Sequence, residues 1–449
     1  MPASEPVNLK VFASAYGVML FSFIASRLLL QTDLFMLSAL GPDATAAFAI
    51  PVRVMFIDII FAMALGPIVL VAIGKEKTLA DKFQVMSKAM SFALIMSSLL
   101  VVMGLITYPR LIEYLVHAPS IFQMSTDATR WLTYAIPLRL LCFVASMCLF
   151  ACGQGRWVSL MYVATLILNA GFNWLFMYGF GWGFVGAYAA TFVVLLFELI
   201  WLLGFAYRIF GNLPFAKFNI EWLRKILSKI KSEWLRLCSW QLEGLVIIFI
   251  LASQTQWAGV LSLYGVTSEV SAFLVMPLIA LMRTFTVQAA PYYASYTCKQ
   301  IGRLFMPVYL YALSFSVVAA AAFFISLNTL GKHVYHLSDE RLQSWWIYGA
   351  AIAVLLPLYT LGYLMRGLYH LKEDYQTVTR TEITIVWLII IPSCYVALTQ
   401  QRHDWFFVII LTKEVLIYGV LSVLLRRQTH AESKNQRLNQ AKDLDQSST

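Results

Sequence analysis

A single carboxylate, Asp33, sits inside a long apolar run, bracketed by Leu28-Leu29-Leu30 and Leu34-Phe35-Met36-Leu37. Placing an acid at such a depth costs about 2.5–3.5 kcal/mol on insertion scales, and side chains retained at that cost are as a rule functional. A group that is costly to keep charged suits work in which a proton or cation is taken up and released as access alternates between two sides. The competing use is a structural pair, but Arg27 is six residues away and lies on a different face of a straight helix. Glu243 opens a later run in Trp240-Gln241-Leu242-Glu243; it is either a second coupling or substrate-binding acid or an interfacial residue that reaches water. Glu198 and Glu414 lie in the last apolar run of each half and are expected to serve internal structural pairing. Lys413 adjoins Glu414, but neighbours in sequence do not face each other on a helix. Arg53, Arg139 and Arg283, with Gln288, are candidates for lining a substrate cavity that accepts anionic groups; the arginines would serve equally well to neutralise Asp58 and the other acids.

The elements that position these groups follow from composition. Sixty per cent of the 449 residues are hydrophobic, 12% are charged, and the mean hydropathy is +0.73. A soluble domain of that length would expose more apolar surface than water tolerates. Twelve apolar runs near or above 20 residues are present, roughly 11–40, 45–73, 89–108, 131–151, 158–178, 184–207, 236–257, 265–296, 305–327, 343–366, 383–399 and 405–426. Such a run as a helix crosses the ~30 Å of a bilayer's hydrocarbon. Apolar residues cover all faces of each run, which excludes the alternating strands of a membrane β-barrel. The polar first ten residues and the length of the following run argue against a cleavable signal. The six cysteines lack a C-x-x-C pair and read as small apolar residues, so neither a disulfide nor a metal site is expected.

Loops assigned alternately to two sides place 23 of the 33 Lys and Arg residues on the side of the N-terminus and five on the other. The positive-inside rule then makes both termini cytoplasmic. It also accounts for the net charge of +10 without a nucleic-acid partner.

The chain divides into an N-lobe of six helices (1–207), a basic connector (208–236), a C-lobe of six helices (237–427) and a polar tail (428–449) expected to be disordered. In the connector, Leu223, Ile226, Ile230, Trp234 and Leu237 recur at three- and four-residue steps among Arg224, Lys225, Lys229 and Lys231, the pattern of an amphipathic helix on the cytoplasmic leaflet. The halves echo each other: Leu37-Ser38-x-x-Gly41 returns as Leu261-Ser262-x-x-Gly265, and Phe61, Pro67 and Lys75 as Phe285, Pro291 and Lys299, an offset of 224; Glu198 and Glu414 are 216 apart. Six helices per half make the repeat parallel, with its pseudo-twofold axis along the membrane normal, the usual sign of a transporter.

Several segments then resemble one family. Asn169-Ala-Gly-Phe-Asn173, followed by a Gly-rich turn and Gly186-Ala-Tyr-Ala-Ala-Thr191, is similar to the N-x-x-x-D, turn and G-A-A-x-A-T segments of the multidrug and toxic compound extrusion (MATE) transporters. Gln31-Thr32-Asp33 with Leu37-Ser38-Ala39-Leu40-Gly41 and Ala46-Ala47 resembles the family's first helix, and Cys152-Gly153-Gln154-Gly155 its R-G-x-G segment, echoed by Arg366-Gly367. The resemblance implies a cation-coupling site of Asp33, Asn169, Asn173 and Thr191 that takes H⁺ or Na⁺. Trp240-x-x-Glu243 resembles a W-x-x-E pattern that carries a C-lobe site in some members. Three departures stand out: the second acid of the fifth helix is Asn173, the tenth helix lacks an acid, and the proline that bends the first helix is absent, leaving Gly17 as a weak point. One carboxylate with two amides favours hard cations less than two carboxylates do, which shifts the expectation toward H⁺.

The implied function is secondary active efflux: H⁺, in preference to Na⁺, enters as an amphipathic drug, toxin or metabolite leaves. The alternatives are a related flippase for lipid-linked saccharides, favoured by a cationic cavity, and a dedicated exporter of a metabolite such as a siderophore. A polytopic membrane enzyme is disfavoured because all six histidines lie in loops or the tail without H-E-x-x-H, and the absence of G-x-x-x-x-G-K removes ATP as the energy source. The expectations are completed by no cofactor beyond the coupling ion, a small organic substrate and the bilayer as partners, a monomer, and the inner membrane of a bacterium.

Overall fold

The computed structural model describes residues 7–41, 44, 47–48, 55–115, 119–216, 220–252, 258–293, 296–335, 337 and 339–447. Among them, twelve helices are long and apolar enough to cross a membrane, and none is a strand. They are α1 (Leu9–Ser38), α2 (Phe56–Lys75), α3 (Leu79–Leu115), α4 (Pro119–Ala151), α5 (Gly155–Trp174), α6 (Gly183–Phe210), α7 (Ile220–Ala252), α8 (Ala258–Tyr293), α9 (Met306–Thr329), α10 (Asp339–Leu371), α11 (Tyr375–Ile385) and α12 (His403–Ser447). A single widened π turn follows α5 (Leu175–Gly179), α9 (Leu330–Val334) and α11 (Val386–Ile390), the last running on into Ile391–Thr399. In hydrocarbon every backbone N–H and C=O must be satisfied within the segment, and helices do this whatever their side chains.

The chain forms two compact units, Ala13–Trp234 and Leu235–Thr449 with Met1–Phe12. Each repeats the same order of elements, and backbone landmarks give the register. A proline lies inside α4 at Pro137 and inside α10 at Pro357, 220 residues on. Gly153 ends α4 with φ +76°, and Glu373 ends α10 with φ +59°, again 220 apart. The turns after the next helices use Gly181 (φ +70°) and Gln401 (φ +57°), also 220 apart. From the fourth helix of each unit onward the register is therefore 220, not the 216 that Glu198 and Glu414 suggest. Glu198 and Glu414 are not equivalent; they stand one helical turn apart in that register.

Two further expectations differ from the structure. The connector is no separate element: its amphipathic stretch and the seventh span form one helix, α7, with Ile226 and Ile230 buried and Arg224, Lys225 and Lys231 exposed. The polar tail expected to be disordered continues α12 as helix to Ser447; its Ala, Glu, Lys, Gln, Arg and Leu are strong helix formers.

Tertiary hydrogen bonds pin the helices at depth. Tyr359 and Tyr369 of α10 donate to the carbonyls of Leu411 (2.6 Å) and Leu421 (3.0 Å) on α12. The wholly buried Trp345 donates from Nε1 to Leu327 O (2.9 Å), which holds α10 to α9.

Candidate functional site

In the first unit α1 lies along α5 and is tied to it at three levels. Ser159 Oγ donates to Val18 O (3.0 Å), Asn169 and Asn173 reach Asp33, and Tyr178 of the π turn donates to Met36 O (2.9 Å). Asn169 and Asn173 are four apart, so both amides project from one face of α5. Each Nδ2 donates to the same oxygen, Asp33 Oδ1, at 2.6 Å. Oδ2 makes no hydrogen bond among the described residues, and neither do the buried Asn173 Oδ1 and Tyr188 Oη. Tyr188 lies within electrostatic reach of Asp33. It is brought there by Gly186: a Cβ at that position would stand 2.7 Å from Phe176 C and 2.8 Å from Met177 N, so only glycine lets α6 seat on the backbone of the π turn. Thr191 is on the same helix, but its hydroxyl donates to Ala187 O (2.9 Å) rather than to Asp33. The site thus presents one carboxylate, two N–H donors on one of its oxygens, and oxygens on Asp33, Asn173 and Tyr188 that accept no hydrogen bond among the described residues.

The acids of the second unit are compensated. Lys413 of α12 donates to both oxygens of Glu243 on α7, at 2.8 and 2.9 Å. Arg366 of α10 donates from Nε to Glu382 Oε1 on α11 (2.6 Å), and its Nη2 forms an ion pair with Glu414 Oε2 (2.8 Å) outside hydrogen-bond geometry. Arg236 of α7 completes Glu382 at 3.3 Å, and the Arg366 guanidinium lies 4.7 Å from the centre of the Tyr363 ring. Three acids and three bases therefore join four helices with no net charge.

Residues 19–175 match the MatE family model. The fold is shared with solved MATE structures across nearly their whole length. MATE in the bent conformation aligns with a TM-score of 0.84 at 16% identity over 96% of this chain and 97% of that one. MATE in complex with MaL6 gives 0.83 at 16% identity over 95% and 97%. The bent form of the Vibrio cholerae MATE transporter VcmN gives 0.79 at 16% over 94% and 97%. Residues 19–175 thus carry a MatE domain, and the chain as a whole has the fold of the solved MATE structures. None of the curated proteins compared with the sequence matches it.

Within this MATE scaffold the residues singled out from sequence separate into groups. Asp33, Asn169 and Asn173 come together; Thr191 stays on an adjoining helix with its proton committed. Arg139 does not line a cavity with a free guanidinium, because its Nη1 donates to the buried Asp58 Oδ2 at 2.8 Å. Arg283 is buried and Gln288 half-buried, both on α8, while Arg53 lies outside the described residues. Glu414 pairs as expected. Glu198 does not: it makes neither an ion pair nor a hydrogen bond among the described residues, although it is only 6% exposed. Sequence reasoning missed Tyr188, which stands where the G-A-A-x-A-T segment has its second alanine. It also put Arg366 at the very end of the tenth apolar run, whereas α10 extends five residues past it and buries it. Among the described residues no cluster of three or more His, Cys, Asp or Glu side chains is arranged to hold a metal ion.

Proposed function

We propose that this MATE transporter is a secondary exporter in which H⁺ entry through Asp33 drives an amphipathic organic compound out of the cell. The observation that carries the reading is the one-sided solvation of Asp33: two amide donors on Oδ1, and, among the described residues, no Lys or Arg paired with it and no hydrogen bond to Oδ2. The carboxylate is stabilised by charge-assisted hydrogen bonds; protonating it makes those bonds ordinary ones and releases Asn169 and Asn173 to rearrange. Na⁺ is the weaker candidate. It prefers a shell of oxygens, whereas both asparagines turn N–H groups toward the acid and Thr191 spends its proton on its own helix. Glu243 is left out of the coupling site because Lys413 already occupies both its oxygens. The membrane potential supplies about 2.3 kcal/mol per charge per 100 mV, which sustains a substrate gradient of roughly fifty-fold per proton. An even number of spans and the Lys and Arg bias support a reading with both termini cytoplasmic, and the proposed location is the inner membrane of a bacterium.

Asp33→Asn is expected to abolish extrusion driven by a pH gradient in proteoliposomes while the protein remains folded. Full transport by that variant would remove the coupling role of Asp33, and loss of wild-type transport when Na⁺ is replaced by K⁺ at fixed pH would replace H⁺ by Na⁺. Cationic dyes tested against anionic and zwitterionic metabolites, siderophores among them, identify the charge class of the substrate.

A further inference from the structure

Glu198 is a buried acid of the first unit that makes neither an ion pair nor a hydrogen bond among the described residues. It lies on α6 and is 6% exposed. Cys142 Sγ of α4 approaches Leu195 O at 3.5 Å, which marks where α4 and α6 touch. The two helices are separated by one span and so run in the same direction. One turn beyond that contact are Ser146 on α4 and Glu198 on α6. Ser146 Oγ is buried without a hydrogen-bond partner, and so is Trp201 Nε1, one turn past Glu198.

The second unit shows what a charged glutamate at this level uses. Ser146 and Arg366 are 220 residues apart, the register set by the two prolines and the two left-handed turns. Arg366 reaches Glu414 on the helix equivalent to α6, 2.8 Å away. In the first unit the arginine's place is held by a serine too short to pair. The other charge on that stretch of α4, Arg139, is taken by Asp58 of α2 at 2.8 Å. Of the titratable groups on the helices packed against α6, which include Arg139, Cys142 and Cys148 of α4 and Arg156 and Tyr162 of α5, Cys142 is the one within electrostatic reach of the Glu198 carboxyl. A buried carboxylate with no cation and no donor is held as the neutral acid, because an uncompensated charge costs several kcal/mol.

We infer that Glu198 is a second proton-binding site of the first unit, loaded as the neutral acid at rest and emptied when α4 and α6 part to admit water. The inference extends the proton reading of Asp33 to two protons per cycle. It does not require Asp33 to be the coupling acid, because proton binding is measured apart from transport.

The test is acid-minus-base difference infrared spectroscopy of the purified full-length protein, read at the carbonyl stretch of protonated carboxyl groups, with a parallel count of protons taken up per molecule. Glu198→Gln is expected to remove one component of that band and one proton from the count. Asp33→Asn should remove a different component. Ser146→Arg, which places an arginine where the second unit has one, should remove the Glu198 component while leaving its carboxyl in place; size-exclusion elution checks that each variant is folded. A band and a proton count unchanged in Glu198→Gln and in Ser146→Arg would overturn the proposal. A Glu198 component that persists while the Asp33 component is absent would overturn the Asp33 reading alone.

Discussion

The two units carry the same succession of helices and opposite electrostatic strategies. Among the described residues, the second compensates Glu243 by Lys413, Glu382 by Arg236 and Arg366, and Glu414 by Arg366. The first compensates Asp58 with Arg139 but leaves Asp33 with amides only and Glu198 with nothing among the described residues. Compensated charges hold helices together and resist titration. Uncompensated ones are held loosely and change charge with their surroundings. Duplication of a scaffold thus permits a division of labour, with rigidity concentrated in one half and proton chemistry in the other.

The largest effect that would test this contrast is expected at Arg366. Arg366→Met leaves Glu382 and Glu414 without their shared guanidinium, with Arg236 and Lys413 the remaining cations in reach, and breaking a buried network of this kind costs about 3–5 kcal/mol. Thermal unfolding in detergent should show the loss, whereas Asp33→Asn should change stability by less than about 1 kcal/mol, because no opposite charge is orphaned. Equal losses in the two variants would erase the distinction between the halves. Next in size is Lys413→Met, which strands Glu243 at a cost of about 3 kcal/mol. Adding Glu243→Gln should recover most of that loss; if the double variant is no better than the single one, the pair is not acting as mutual compensation. The smallest effect concerns the landmarks themselves. Glu373 holds a left-handed backbone that Gly153 adopts freely in the other half. Glu373→Gly should therefore gain roughly 0.5 kcal/mol, the strain relieved less the added chain entropy, seen as a small rise in the unfolding temperature.

Much of this was legible in the residues. Twelve apolar runs are visible because hydrocarbon demands them, and Asp33 is conspicuous because it violates one. The amide pair was legible through its four-residue spacing and its likeness to a family pattern. The register of the repeat was not. Its anchors in the later helices are backbone conformations filled by chemically unlike residues, Gly153 with Glu373 and Gly181 with Gln401, so matching Glu198 to Glu414 points to 216 and passes over 220. The charge network was hidden for a different reason. Arg236, Arg366, Glu382 and Glu414 come from four separate helices, and three of the four lie near the ends of apolar runs, where a charge reads as solvated.

The π turns carry one further consequence. A π turn inserts a residue into a helix, and each inserted residue advances everything beyond it by about 100° around the axis. Both fifth spans contain one such insertion and are equally long, from Gly155 to Gly181 and from Tyr375 to Gln401. The insertion falls at Leu175–Gly179 in the first and at Val386–Ile390, nine residues earlier in the shared register, in the second. Between those two depths the spans are out of phase, and above and below them they agree. The stretch that carries Asn169 and Asn173 in the first unit overlaps that window, so the second unit presents a rotated face at the same depth. At that depth the second unit carries Ile389 and Ser393 where the first carries Asn169 and Asn173, so a rotated face and exchanged side chains together confine the amide pair to the first unit.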